Sequence, residues 1–173
     1  MDATTKAAHI ALMGFDVDGV LTDGTLYYSE HGDAIKGFSA RDGHGIKMLM
    51  DAGVQVAIIT GRESDIVTQR AKNLGVRHVL QGIDDKRAAM KDLLSQLGLG
   101  FEQAGYMGDD VVDLPLLRTC GFSATVADGH SLVLDHVDHV SPLKGGRGAV
   151  REVCEFLLAA QHKLDAALAR YLA

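Results

Sequence analysis

Residues 10–24 read IALMGFDVDGVLTDG, an apolar run from Ile10 to Phe15 that stops at Asp16-Val17-Asp18-Gly19. A hydrophobic strand that delivers carboxylates at i and i+2 and then turns on glycine builds a polar site at the edge of a sheet. Strand alternation sets Asp16 and Asp18 on roughly the same side, where two negative charges repel unless a cation or a proton lies between them. The pair therefore calls for a metal, for proton-transfer work, or for both.

Outward from that junction, short apolar runs at 54–59, 78–81, 104–107 and 122–126 alternate with segments of helical spacing. The helical stripes are Ile46, Leu49 and Met50; Ile66, Val67, Arg70, Ala71 and Leu74; Met90, Leu93, Leu94 and Leu97; and Val150, Val153, Cys154, Leu157 and Leu158. Gly53, Gly75 and Gly98 follow three of these where a C-cap is wanted. This rhythm predicts an α/β fold, a doubly wound parallel sheet covered on both faces. One segment interrupts it: 24–38 reads as a β-hairpin with its tip at Glu30-His31-Gly32-Asp33, projecting beside the acidic pair. At 173 residues the chain is expected to be one domain, with a core over about 10–158 and a short helix or tail from Gln161 to Ala173.

Composition narrows the function classes. The net charge of −6 gives no electrostatic footprint for nucleic acid, and no apolar run approaches a membrane span. Cys120 and Cys154 lie far apart with no paired spacing, which suits a reducing cytosol, and no signal segment is evident, so a cytoplasmic location is expected. His136 and His139 are spaced i, i+3, but no third ligand stands near enough for a zinc site.

In a parallel α/β sheet, ligands bind at the carboxyl ends of the strands. Four predicted strands end in chemistry: Asp16 and Asp18; Thr60-Gly61-Arg62; Lys86, opening the helix after the third; and Gly108-Asp109-Asp110, with Asp113 one turn on. Singly each has an ordinary reading, as turn residue, helix cap or surface lysine. Together they suit phosphoryl transfer, with Asp16 and Asp109 as hard ligands for Mg²⁺ aided by a backbone carbonyl near Asp18, and a carboxylate as nucleophile. Thr60 and Lys86 would hold the phosphoryl oxygens, and Asp18 would move the proton.

DVDGVLTDG, IITGR, DDK and GDDVVDLP, in this order, resemble the four motifs of the haloacid dehalogenase-like phosphohydrolases. The resemblance implies Asp16 as nucleophile, Asp18 as general acid and base, Thr60 and Lys86 as phosphate binders, Asp109 as metal ligand with Asp16 and Asp18, and Asp110 and Asp113 as supporting acids. No cap domain fits: only the hairpin follows the first motif, and one helix and one strand fill the 26 residues from Thr60 to Lys86. A capless site needs a large substrate or a neighbouring subunit as cover. FSARDGHGIK, VAIITGRESDIV, RAKNLGV, QGIDDK, YMGDDVVDLPLL, VADGH and GGRGAVREVCEFLL further resemble the capless tetrameric phosphatases of 3-deoxy-D-manno-octulosonate (KDO) 8-phosphate.

That resemblance implies a sugar-acid phosphate substrate, a role in lipopolysaccharide precursor synthesis, and a homotetramer whose hairpin touches a neighbour. It also implies substrate contacts from Ser39, Ala40, Arg41, Asp42, Gly43, Lys47, Arg62 and Arg70 as well as from Asp18 and Lys86. Guanidinium groups suit carboxylate and phosphate recognition, and the loop Gly145-Gly146-Arg147-Gly148 adds a further basic candidate. Relatives acting on nine-carbon sialic-type acid phosphates are the alternative; they tend to carry Glu where this chain has Arg62. A receiver-like phosphate-binding domain is the non-enzymatic alternative, but a receiver places its lysine last, whereas Lys86 precedes the second acidic cluster.

Overall fold

The computed structural model describes residues 1–172, with Asp33 through its backbone alone. Its strands are β1 (Leu12–Phe15), β2 (Tyr27–Ser29), β3 (Gly32–Ile35), β4 (Gln55–Ile59), β5 (His78–Leu80), β6 (Ala104–Met107), β7 (Phe122–Thr125) and β8 (His139–Val140). Its α-helices are α1 (Ala3–Ala7), α2 (Ala40–Asp51), α3 (Asp65–Leu74), α4 (Lys86–Leu97), α5 (Leu114–Leu117), α6 (Ser131–Leu134), α7 (Ala149–Ala160) and α8 (Leu164–Ala169). Six strands form one parallel sheet in the order β5-β4-β1-β6-β7-β8, while β2 and β3 pair antiparallel as a separate hairpin.

Strand alternation divides the core in two. Met13 and Phe15 of β1, with Val56 and Ile58 of β4, meet Ile46 and Leu49 of α2 and Val153 and Leu157 of α7 on one face. Leu12, Ala57 and Ile59 meet Met90, Leu93, Leu94, Leu116 and Val133 on the other. Each Val, Leu, Ile, Phe or Met among them, once buried, contributes about 1.5–3 kcal/mol, which is why helices cover both faces. No α-helix among the described residues is long and apolar enough to cross a membrane, and no cap domain is present among them.

The chain leaves β1 toward β4 and β5 on one side, then returns to lay β6 on the other. β1 and β6 therefore flank the switch point of the sheet, the crevice where α/β folds take ligands. Asp16 follows the first and Asp109 the second.

The expected strands of the parallel sheet fall within two residues of those observed. The hairpin turns at Glu30-His31, with Ser29 opposite Gly32, so its return strand starts two residues before the expected Ala34. The short elements α1 and α5 had no counterpart in the sequence pattern. The tail forms α8, and Ala173 lies outside the described residues.

Candidate active site

The backbone is extended at Asp16 and then enters a wide turn, Val17–Leu21, closed by the Thr22 N–H donating to the Val17 carbonyl at 3.0 Å. Gly19 makes the turn possible on two counts. Its φ of 89° lies in the left-handed region, and a Cβ there would stand 2.1 Å from Oδ2 of Asp109. The glycine thus lets the β6 carboxylate approach the β1 turn. Asp16, Asp109 and Asp113 each offer an oxygen within 4.8 Å of the others.

A second glycine sets the far wall. A Cβ on Gly14 would lie 2.9 Å from the Tyr106 ring, so its absence lets that ring pack close against β1. The phenol is fully buried and donates near both the Ile59 carbonyl, at 3.2 Å, and Asp113 Oδ1, at 3.1 Å. Lys86 Nζ donates to the same Asp113 oxygen at 2.7 Å and lies 3.0 Å from Asp16 Oδ1. Asp113 Oδ2 accepts from the backbone N–H groups of Asp109 and Asp110, at 3.0 and 3.2 Å. With both oxygens engaged, the buried Asp113 is a brace, whereas Asp110 uses its carboxylate to accept from the Val111 N–H at 2.7 Å.

Charge in this cluster is tightly balanced. Burial pushes the Asp16 carboxyl up to about 6, Asp113 adds repulsion, and Lys86 opposes both. Burial likewise lifts Asp109 to about 7, helped by Asp16, Asp113 and Asp110. Burial alone would lower the Lys86 pKa, but Asp16 and Asp113 outweigh it and keep the ammonium charged. Crowded oxygen donors that resist ionisation are what a hard divalent cation relieves, so the donor set fits Mg²⁺.

Asp18 stands apart from this cluster. Lys36, which follows β3, places Nζ 2.6 Å from Asp18 Oδ1, and Arg62 Nε lies 3.6 Å from Oδ2. Arg62 in turn donates to the Tyr28 hydroxyl and lies over that ring. Asp16 and Asp18 line one cavity of about 430 Å³, brought there by the turn that follows β1 and not by alternation within it, and they face different cations. Thr60, Arg62, Lys86, Asp109 and Asp110 line the same cavity, with Leu26, Ile83, Asp84 and Val112.

Residues 79–152 match the model of the haloacid dehalogenase-like hydrolases. The chain is 46% identical over 166 residues to the 3-deoxy-D-manno-octulosonate 8-phosphate phosphatase KdsC of Escherichia coli (strain K12), covering 96% of this chain and 88% of that one. The chain belongs to this phosphatase family. The structure of the family's Yersinia pestis member superposes with a TM-score of 0.92 at 46% identity, covering 95% of this chain and 89% of that one. The Moraxella catarrhalis structure, which holds a magnesium ion, a phosphate ion and KDO, gives 0.94 at 43% identity, with 97% of each chain covered. As a member of this phosphatase family, the protein is a phosphoric monoester hydrolase.

The substrate contacts that the family resemblance implied are not gathered in one place. Ser39, Ala40 and Arg41 line a second cavity of about 490 Å³ with Asp23, Phe38 and Arg147. Arg70 and Lys47 line neither of these two cavities: the Arg70 guanidinium donates to the Ser39 carbonyl at 3.1 Å and lies over Phe38, and Lys47 is exposed on α2. Gly43 is buried against Arg70 and Leu74. Asp42 is 1% exposed, and its carboxylate accepts from the backbone N–H groups of Gly148 and Arg151, at 3.3 and 2.8 Å. Its position is that of a cap for α7, and it lines neither cavity. Lys36 had no place in the sequence reading, because no motif contains it; a lysine three residues before Ser39, closing a hairpin, was the one available signal. Tyr106 opens the run YMGDDVVDLPLL, but nothing local in sequence marks its hydroxyl as a donor to Asp113. His136 and His139, set aside as a zinc site, bond instead to the Leu132 carbonyl and Glu152.

Proposed function

We propose that this phosphatase hydrolyses 3-deoxy-D-manno-octulosonate 8-phosphate through an aspartyl-phosphate on Asp16. The observation that carries the reading is the convergence of Asp16, Lys86, Thr60, Asp18 and Asp109 on one cavity, in a chain whose relatives act on that ester. Asp16 Oδ attacks phosphorus while the ester P–O bond breaks, and the leaving oxygen takes a proton from Asp18. Water then attacks the phosphorus of the intermediate, gives its proton to Asp18, and breaks the bond to Asp16, releasing inorganic phosphate. Lys86, fixed by Asp113, and Thr60 hold the phosphoryl oxygens as charge develops. Mg²⁺ held by Asp16, Asp109 and the Asp18 carbonyl would supply charge neutralisation and polarise the phosphoryl group.

The hairpin leaves Leu26, Tyr27, Tyr28 and Ile35 between 38% and 64% exposed. These side chains support a homotetramer in which a neighbouring copy covers the open cavity. Ser39, Ala40 and Arg41, which open on a cavity of their own, would reach the same substrate from that neighbour.

Purified protein is expected to release phosphate from KDO 8-phosphate with Mg²⁺, to lose that activity with chelator, and to prefer it over nine-carbon acid phosphates and common sugar phosphates. The Asp16→Asn variant is expected to lose at least about a thousandfold in kcat. Turnover within a few fold of the parent would remove Asp16 as nucleophile, and preference for a nine-carbon ester would replace the substrate.

A further inference from the structure

Lys36 reaches the acid–base carboxylate from outside the four motifs. Its side chain is 3% exposed, although it stands at the root of an exposed hairpin. Burying an ammonium is unfavourable unless it is paired, and Asp18 Oδ1, at 2.6 Å, pairs it. The other carboxylate oxygen, Oδ2, is buried and accepts no hydrogen bond from the described residues; Arg62 Nε stays at 3.6 Å. The two oxygens of Asp18 are thus unlike, and their inequality comes from the hairpin.

That inequality matters for proton transfer. A carboxyl group can carry its proton on either oxygen, and the terminal torsion of an Asp side chain is soft, so an unrestrained Asp18 would present its proton in several directions. An ammonium donating to Oδ1 excludes a proton there and confines it to Oδ2. We propose that Lys36 is a positioning residue for the hydrolysis: by holding Oδ1 of Asp18, it fixes Oδ2 as the site from which the leaving alcohol is protonated. The inference rests on the reading of Asp18 as the general acid and base. In the first step the Asp16 oxygen–phosphorus bond forms, the ester P–O bond breaks with its electron pair on the alcohol oxygen, and the Oδ2 proton moves to that oxygen. Asp18 is left as a carboxylate with Lys36 against it. In the second step the proton of the attacking water returns to Oδ2.

Leaving-group dependence separates this role from simple support. The value of kcat/KM covers binding and phosphoryl transfer to Asp16, and excludes hydrolysis of the intermediate. An alkyl ester needs its leaving oxygen protonated, whereas p-nitrophenolate departs unaided. The test compares KDO 8-phosphate, glycerol phosphate and p-nitrophenyl phosphate on the parent, Lys36→Met, Lys36→Arg, Asp18→Asn and the Lys36→Met/Asp18→Asn double variant. Lys36→Met is expected to lower kcat/KM by more than about tenfold on both alkyl esters and by less than about threefold on p-nitrophenyl phosphate. Lys36→Arg is expected to recover most of the loss, and Lys36→Met is expected to add less than about twofold in the Asp18→Asn background. Melting curves establish that each variant is folded, with Lys36→Gln replacing Lys36→Met where the latter is not. Equal losses on all three esters, no loss on any, or a loss confined to the sugar acid would overturn the positioning role; the last would make Lys36 a contact for the substrate carboxylate. A leaving-group effect with Asp18→Asn but none with the Lys36 variants overturns this inference alone. Its absence with Asp18→Asn overturns the Asp18 assignment and the inference with it.

Discussion

Asp16 and Asp109 are the residues at which the acidic site costs the fold something. Their carboxyls are pushed up to about 6 and about 7 in the folded chain, against an ordinary value of 3.8, because burial and neighbouring carboxylates, Asp113 for both, oppose ionisation. Between roughly pH 4 and 7 the folded state then binds more protons than the unfolded one, so stability falls as pH rises through this window. Above about pH 7 both are ionised and the whole cost is present. A divalent cation binds only the ionised pair and removes that cost. Metal-free protein is therefore expected to melt at a lower temperature at pH 8 than at pH 5, and added Mg²⁺ is expected to raise the melting temperature more at pH 8. Calorimetry with and without chelator measures both differences; a metal effect independent of pH would show that these carboxylates do not hold the ion. The positions of the two aspartates were legible because strand ends and glycine turns are local in sequence. Of their braces, Asp113 was expected as a supporting acid through the resemblance, whereas Tyr106 acts through distances that only the packed sheet sets.

At the scale of elements, Asp42 ties α2 to α7. Gly148 precedes α7 and has no side chain to cap it, so the first N–H groups of that α-helix are satisfied from 106 and 109 residues away. Asp42→Ala is expected to destabilise the protein by about 1–2 kcal/mol, read from urea denaturation, since it removes an α-helix cap and leaves buried donors unpaired. An unchanged midpoint would show that the cap is dispensable. Arg41-Asp42-Gly43 at the start of an α-helix reads locally as an anion-binding segment, and nothing nearby in sequence reveals the partner across the core. The long α-helices and the five longer parallel strands were readable because periodicity repeats over several turns or pairs. The four- and five-residue helices α1, α5 and α6 and the two-residue β8 are too short for a period to declare itself, and they persist through tertiary contacts alone.

For the whole molecule, the open crevice and the apolar hairpin belong to one problem of enclosure. The cavity around Asp16 has no lid among the described residues, while Tyr27 and Ile35 stand 50% and 64% exposed on the hairpin beside it. Replacing Ile35 with lysine is expected to lower the sedimentation coefficient toward that of a monomer and to reduce kcat/KM for the sugar-acid ester. A parent chain that sediments as a fully active monomer would separate the hairpin from assembly. The doubly wound sheet followed from the alternation of apolar runs with helical stripes and the missing cap from motif spacing, but how the basic residues divide between two cavities depends on loop paths that neither encodes. Gly14, in the middle of the central strand, carries a wider consequence. It seats the Tyr106 ring, whose hydroxyl joins Asp113 to the end of β4, and Asp113 in turn aims Lys86 at Asp16. The reactive centre is thus an outcrop of the interior rather than a fitting on its surface. Heat is expected to disorder it together with the core, not ahead of it.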